Sequence, residues 1–390
     1  MTNSIYLDNA ASTPADPAVV ERIVAVMRTT WGNPSAGNPQ GARARHVIAE
    51  ARRQVLAALG DGEPSGAAGH ADRAPSRGEV IWTSGCTESD ALAVLGAAAT
   101  GPGEVVLTTL EHPAVEQNAR RLEAAGRVVR RIPPGPDGVM DPDTLAEAAV
   151  GARLVCLVAV QNEVGLVQPI ATLAAAIKAR APRCHLHLDA AQAFGKIELC
   201  AGRLPVDSIA LTAHKFHGPP GVGALWLHRD AHLAPLWGGG GQQGGLRSGT
   251  QNAPGAAGLG LAAELAMTRR SAAQERWRAL SARVLDVLRH RETSPAWLLP
   301  EPVRAPHILA LGFRQVSAEA LRNTLASRGV AVSTGSACAT DGGHGSAALA
   351  AAGLTPDVAM VRLSFGWQNE LSEVELAARH LADIVTELRG

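Results

Sequence analysis

Between residues 79 and 230 the chain alternates short β-branched runs with alanine-rich stretches, and this alternation constrains the fold more than any other feature. Runs at 80–83, 105–108, 128–132, 154–160, 185–189, 208–211 and 223–227 read as strands. Stretches at 89–99, 115–125, 144–149 and 171–179 read as helices between them. Such a pattern predicts an α/β architecture with a largely parallel sheet. Ligands of these sheets sit beyond the carboxyl ends of strands, so polar residues at those ends carry extra weight.

Beyond a Gly-rich stretch at 238–249, residues from about 252 to 291 read as one long helix. A smaller α+β unit follows, with strands at 307–311, 330–333 and 361–364, a helix at 318–328 and an amphipathic helix from about 372. The expected division is a large domain over 15–260 and a small domain from 1–14 and 261–390 that carries a cysteine loop. Residues 61–78, rich in Gly, Ala, Pro and Asp, read as an exposed inserted loop without chemistry.

Lys plus Arg and Asp plus Glu are equal at 36 each, so no net field draws the chain to nucleic acid or an anionic membrane. The start, MTNSIYLDNAASTP, lacks the basic and apolar segments of a signal peptide, and no apolar run approaches the ~20 residues of a membrane span. Five cysteines without C-x-x-C spacing predict neither a disulfide framework nor a metal site, and a reducing cytoplasm is expected.

Lys215, in TAHKFHGPPGVG, follows an apolar strand. A partly desolvated lysine there has a lowered pKa and can form a Schiff base with an aldehyde, although position alone also fits a surface lysine. Asp189 ends the strand of HLHLDAAQ, where a carboxylate either pairs with a cation such as a protonated ring nitrogen or caps the next helix. Gln192, three residues on, is within reach of a ring's phenolic oxygen. TSGCTESDAL turns at Gly85 and opens a helix near Thr87, which suits either a phosphate or a plain cap. His112 of EHPAV suits ring stacking or proton movement, or is a loop histidine without a role. Cys338 lies in STGSACATDGGHG, a polar loop composition suited to a reactive thiolate, whereas Cys156 and Cys184 read as buried hydrophobes and Cys200 fits neither reading clearly. Arg362 alternates with apolar residues in VRLSFG, and its fork suits a carboxylate substrate or a structural ion pair.

In chain order YLDNAASTP, TSGCTES, EHPAV, QNEVG, HLDAAQ, AHK, RSGT and SGSAC resemble the cysteine desulfurases of the NifS/IscS-like class, which are fold-type I pyridoxal-phosphate (PLP) enzymes. The resemblance covers essentially the whole chain apart from the 61–78 loop. It implies that Lys215 holds PLP covalently and moves the Cα proton, Asp189 pairs with the pyridine nitrogen, Gln192 pairs with the phenolic oxygen, and His112 stacks on the ring. Cys86, Thr87, Thr212 and His214 would hold the phosphate, with Thr250 supplied by a second subunit of a homodimer. Asn162 of QNEVG would touch both cofactor and substrate, and with Arg362 and Asn33 of GNPS would hold the substrate carboxylate. Cys338 would take sulfur from L-cysteine as a persulfide, releasing L-alanine. A sulfur-acceptor protein in iron–sulfur cluster, thio-cofactor or tRNA synthesis is then the expected partner.

The chain departs from the family at Cys86, where Ala or Gly is usual, at Ala213 in place of Gly, at Thr212 in place of Ser, and at Gly244 in place of a basic residue. It also stops soon after its last helix, without the tail some relatives use to dock scaffold proteins, which leaves the acceptor open. A selenocysteine lyase shares this scaffold. An aminotransferase would need no loop cysteine, and an inactive scaffold homologue would have no reason to keep Lys215, Asp189, His112 and Cys338 together.

Overall fold

The computed structural model describes residues 4–61, 76–334 and 347–389. A short strand, β1 (Ile5–Tyr6), precedes two helices, α1 (Pro17–Thr29) and α2 (Pro39–Ala58). Each helix opens on a proline behind a capping side chain, Asp16 onto the Ala18 N–H and Asn38 onto the Gly41 N–H. Proline costs nothing there, since its missing N–H has no helical partner at that position.

The central layer follows as β2 (Gly78–Thr83), α3 (Cys86–Ala99), β3 (Glu104–Thr108), α4 (Pro113–Ala124), β4 (Val129–Ile132) and α5 (Pro142–Ala148). It continues through β5 (Ala152–Val158), α6 (Ile170–Arg180), β6 (His185–Asp189), β7 (Ser208–Thr212) and β8 (Gly223–His228). The seven strands lie in the order β2-β8-β7-β6-β5-β3-β4. All neighbours pair in parallel except at β8, which is antiparallel to both β7 and β2. The expected α/β fold is therefore present. β8 reverses because the segment between β7 and β8 is too short to hold a crossover helix. Strands β6 and β7 are buried along their whole length, as a sheet covered on both faces requires.

The long helix α7 (Ala253–His290) runs 38 residues. Its first half packs in the main core with α2, where Gly260 permits close contact: a Cβ there would stand 2.8 Å from the Ala51 Cα. Its second half, with Trp277, Leu280 and Val284, joins a second core that includes Leu7, Phe313, Leu363 and Leu381. That core is built from β9 (Trp297–Leu298), β10 (Ile308–Arg314), α8 (Ala318–Ser327), β11 (Val330–Ala331), β12 (Val358–Ser364) and α10 (Leu371–Arg389), while α9 (Ala347–Ala351) packs against the main core through Leu349 and Ala351. Strands β9, β10 and β12 form an antiparallel sheet, while β1 pairs in parallel with β11. Most of the expected 61–78 loop lies outside the described residues. Its two ends are tied together, for the buried Asp61 carboxylate accepts from Trp226 Nε1 at 2.8 Å and from the Gly78 N–H at 2.9 Å.

Candidate active site

Parallel pairing brings the carboxyl ends of β5, β6 and β7 to one edge, where they meet the turn from β2 into α3. A cavity of about 430 Å³ opens there, lined by Cys86, Thr87, His112, Asn162, Asp189, Gln192, Thr212, His214 and Lys215. The other expected site residues stand elsewhere. Thr250 and Asn33 are exposed outside it, and the Asn33 side chain accepts from the Ser35 N–H at 2.9 Å. Arg362 lies behind Asn162. Cys338 lies outside the described residues.

Lys215 closes a single helical turn, Ala213–Lys215, that follows directly on β7. Its Nζ donates to the main-chain oxygens of Ala10 at 2.7 Å and Ala11 at 2.8 Å. Both acceptors are neutral, so little offsets the loss of solvent. Burial, reinforced by the positive charge of Arg362, lowers its pKa from 10.5 to about 8. The neighbouring His214 is pushed down to about 4 by burial and by Lys215, and its Nδ1 stands 3.2 Å from Ser12 Oγ.

Asp189 ends β6 and lines the cavity; it accepts from the Ala191 N–H at 2.8 Å, but the segment after β6 is a series of turns, so it caps no helix. Its Oδ1 also lies 3.6 Å from Cys86 Sγ. Cys86 opens α3 after Gly85, and no side chain caps that helix start. Uncapped N–H groups beside a cavity are a ready anion site. Burial, then Asp189 and Asp90, raise the Cys86 thiol well above its ordinary value.

Beneath lies a buried polar network. Asp90 Oδ1 is 3.1 Å from His187 Nε2, and His187 Nδ1 is 2.8 Å from Ser208 Oγ. Burial pushes His187 down to about 3, and raises Asp90 with help from Asp189 and Glu111. Both directions favour the uncharged forms of the two groups. Burial likewise brings Glu111 up to about 8.

His112 caps α4 through Nδ1, which accepts from the Ala114 N–H at 3.1 Å, while the ring lines the cavity. Burial, and secondarily Lys215, lower its pKa against the pull of Asp189. With Nδ1 accepting, the neutral ring carries its proton on Nε2.

Arg362, on β12, donates to the Asn162 carbonyl and to Asp8 Oδ1, both at 2.7 Å. Sequence reasoning gave Asp8 no role, although it lies within YLDNAASTP. It also missed Glu88, which receives Arg247 at 2.8 and 3.2 Å, and Gln243, whose amide bonds the N–H and carbonyl of Trp82 on β2. These contacts tie the Gly-rich segment to the start of α3.

A strand-end lysine, a strand-end carboxylate and an uncapped helix start surround one cavity at the strand ends of a mostly parallel sheet, which defines an α/β protein with its ligand cavity at the sheet's carboxyl edge. The family model "Aminotransferase class-V" matches residues 5–376. Cysteine desulfurase IscS of Stutzerimonas stutzeri is 36% identical over 397 residues, spanning 99% of this chain and 93% of the relative. A solved structure titled "NIFS-LIKE PROTEIN" superposes with TM-score 0.87 at 30% identity, covering 98% of this chain and 100% of that one. Another, "SspA in complex with cysteine", gives TM-score 0.77 at 28% identity over 93% and 99% of the two chains. The chain belongs to the class-V aminotransferase family, among its NifS/IscS-like cysteine desulfurases.

Proposed function

We propose that this chain binds PLP in the cavity and removes sulfur from L-cysteine, giving L-alanine and a persulfide on Cys338. The observation that carries the reading is the convergence of Lys215, Asp189, His112 and the uncapped start of α3 on one cavity. The donor set fits the cofactor, with an amine for the aldehyde, a carboxylate for the ring nitrogen and free N–H groups for the phosphate. When bound, PLP supplies an electron sink for charge developing at the substrate Cα.

The chain's own residues do the rest. Lys215, at about 8, keeps a neutral fraction near neutral pH, so it would be the amine that holds the cofactor and could take up the Cα proton. Asp189 keeps the ring nitrogen protonated, Gln192 donates to the phenolic oxygen, and the neutral His112 covers a ring face. Cys86, Thr87, Thr212 and His214 hold the phosphate together with Thr250 of the partner subunit. The exposure of Thr250 outside its own chain's cavity supports a homodimer. Arg362, aimed by Asp8, binds the substrate carboxylate with Asn162 and Asn33.

Cys338, as thiolate, attacks the substrate sulfur. An S–S bond forms, the Cβ–S bond breaks, and its electron pair takes a proton at Cβ to complete alanine. The persulfide then passes to an acceptor protein for iron–sulfur cluster, thio-cofactor or tRNA synthesis in the cytoplasm. Residues 15–260 form the cofactor domain, and 1–14 with 261–390 form the domain carrying Cys338; the second core, joining Ile5 and Leu7 to residues of α7, α8 and α10, supports that boundary.

Mass spectrometry after adding cysteine tests this reading: one extra sulfur is expected on the Cys338 peptide. Cys338→Ser should keep the yellow colour and lose both persulfide and alanine. Unchanged alanine formation by that variant, or borohydride labelling of a lysine other than Lys215, overturns the assignment. Parallel kinetics on selenocysteine decide substrate preference.

A further inference from the structure

Behind the cavity lies a second lysine that the proposed chemistry does not use. Lys196 is 5% exposed, and its Nζ donates to Gln192 Oε1 at 2.9 Å. No carboxylate pairs with it among the described residues. Asp16, which lines the same small crevice, is committed to Arg269 at 2.5 Å and to the Ala18 N–H. The charges acting on Lys196 are Lys215 and Arg362, both positive, and burial with those two neighbours lowers its pKa well below 10.5. An ammonium in this place would be a buried cation beside two others, so the side chain serves as a neutral donor.

That donor meets an amide whose orientation matters. Gln192 carries an oxygen and an NH₂ on one planar group, and the network around it decides which faces where. Its Nε2 donates to the Ala10 carbonyl at 2.8 Å, while Oε1 receives Lys196 and lies 3.4 Å from His307 Nε2. This orientation is favoured, because the flipped amide would set oxygen against the Ala10 oxygen and forfeit the bond that Oε1 receives from Lys196. One Nε2 hydrogen goes to Ala10, leaving the second for the cavity that Gln192 lines. Without Lys196 the amide oxygen keeps only the long contact to His307, and the Ala10 bond alone holds the group's orientation.

We propose that Lys196 is a positioning residue that locks the Gln192 amide with its oxygen inward, so that an N–H always faces the ring oxygen of the bound cofactor. The inference rests on the PLP reading above. An N–H donated to that oxygen stabilises its anionic form, so the bound cofactor's visible absorbance titrates at lower pH with the donor than without it.

The experiment compares holoenzyme with Lys196→Met, Gln192→Ala and the double variant, reading the midpoint of the visible-absorbance pH titration. Lys196→Met keeps the volume and removes a buried polar group, and Lys196→Gln, which retains a donor, is the second variant. The midpoint is expected to rise by roughly half to one pH unit in Lys196→Met, the size of one hydrogen bond. It should rise at least as far in Gln192→Ala and no further in the double variant, with partial return in Lys196→Gln. A shift in Gln192→Ala with wild-type midpoints in both Lys196 variants overturns the role of Lys196 alone. No shift in any variant overturns the role of Gln192 and the proposal with it. Holoproteins that do not absorb in the visible at all sink the PLP reading instead.

Discussion

Lys215 has a folded-state value near 8, so its neutral form grows about tenfold per pH unit below that point and levels off above it. Loading of PLP into empty protein should accelerate with pH in the same way, read as the rate at which visible absorbance appears. A rate indifferent to pH below 8 contradicts the assignment. The empty protein should also grow more stable from about 8 toward 10.5, because there the unfolded chain binds a proton that the folded chain has shed. The cysteines give a contrasting test. Burial raises Cys86, Cys156 and Cys184, the last to about 12, so all three stay neutral thiols at mildly alkaline pH. Alkylation of native protein followed by peptide mass spectrometry should leave them unlabelled, and unfolding should expose them. The strand-end positions of Lys215 and Asp189 were legible from sequence because each closes or follows an apolar run, but the roles proposed for them came only from the family resemblance. Asp8 and Lys196 were not legible, since their meaning depends on partners: Asp8 meets Arg362 across 354 residues, and Lys196 acts through a neutral amide.

The strands were readable as elements because their interior runs are nearly all apolar, while helices α1 and α2 left no comparable trace. The buried face of α2 sets Val47, Ile48 and Val55 among the small Gly41, Ala44, Ala51 and Ala58, so its apolar stripe is broken by small residues. The reversed direction of β8 followed from the brevity of its connection, a feature that composition does not display. Where β8 begins, Gly223 lies against the turn into α3. A Cβ there would come within 2.6 Å of Gly85 Cα and 2.7 Å of the Leu211 oxygen, both main-chain atoms. Gly223→Ala should therefore cost about 1–3 kcal/mol of stability. Because the displaced turn carries the start of α3, PLP affinity should fall along with the melting temperature. A variant with wild-type melting and wild-type affinity would show that the turn yields freely.

At the scale of the whole molecule, the two cores are joined by helix α7 together with strands β10 and β12, and the first residues of the chain lead from the second core toward the cavity. Helix α7 contributes to both, and the first residues run from β1, paired with β11, to the cofactor cavity. Along that path Ala10 and Ala11 present the oxygens that receive Lys215. Replacing the exposed Ala11 by serine should leave loading intact. Deleting it should abolish loading while the bulk of the fold persists, as visible absorbance and circular dichroism together would report. Contacts made by peptide oxygens are blind to side-chain identity. At Ala11 what must be preserved is therefore the count of residues, a spacing rule under which that exposed letter can drift while insertions and deletions are barred.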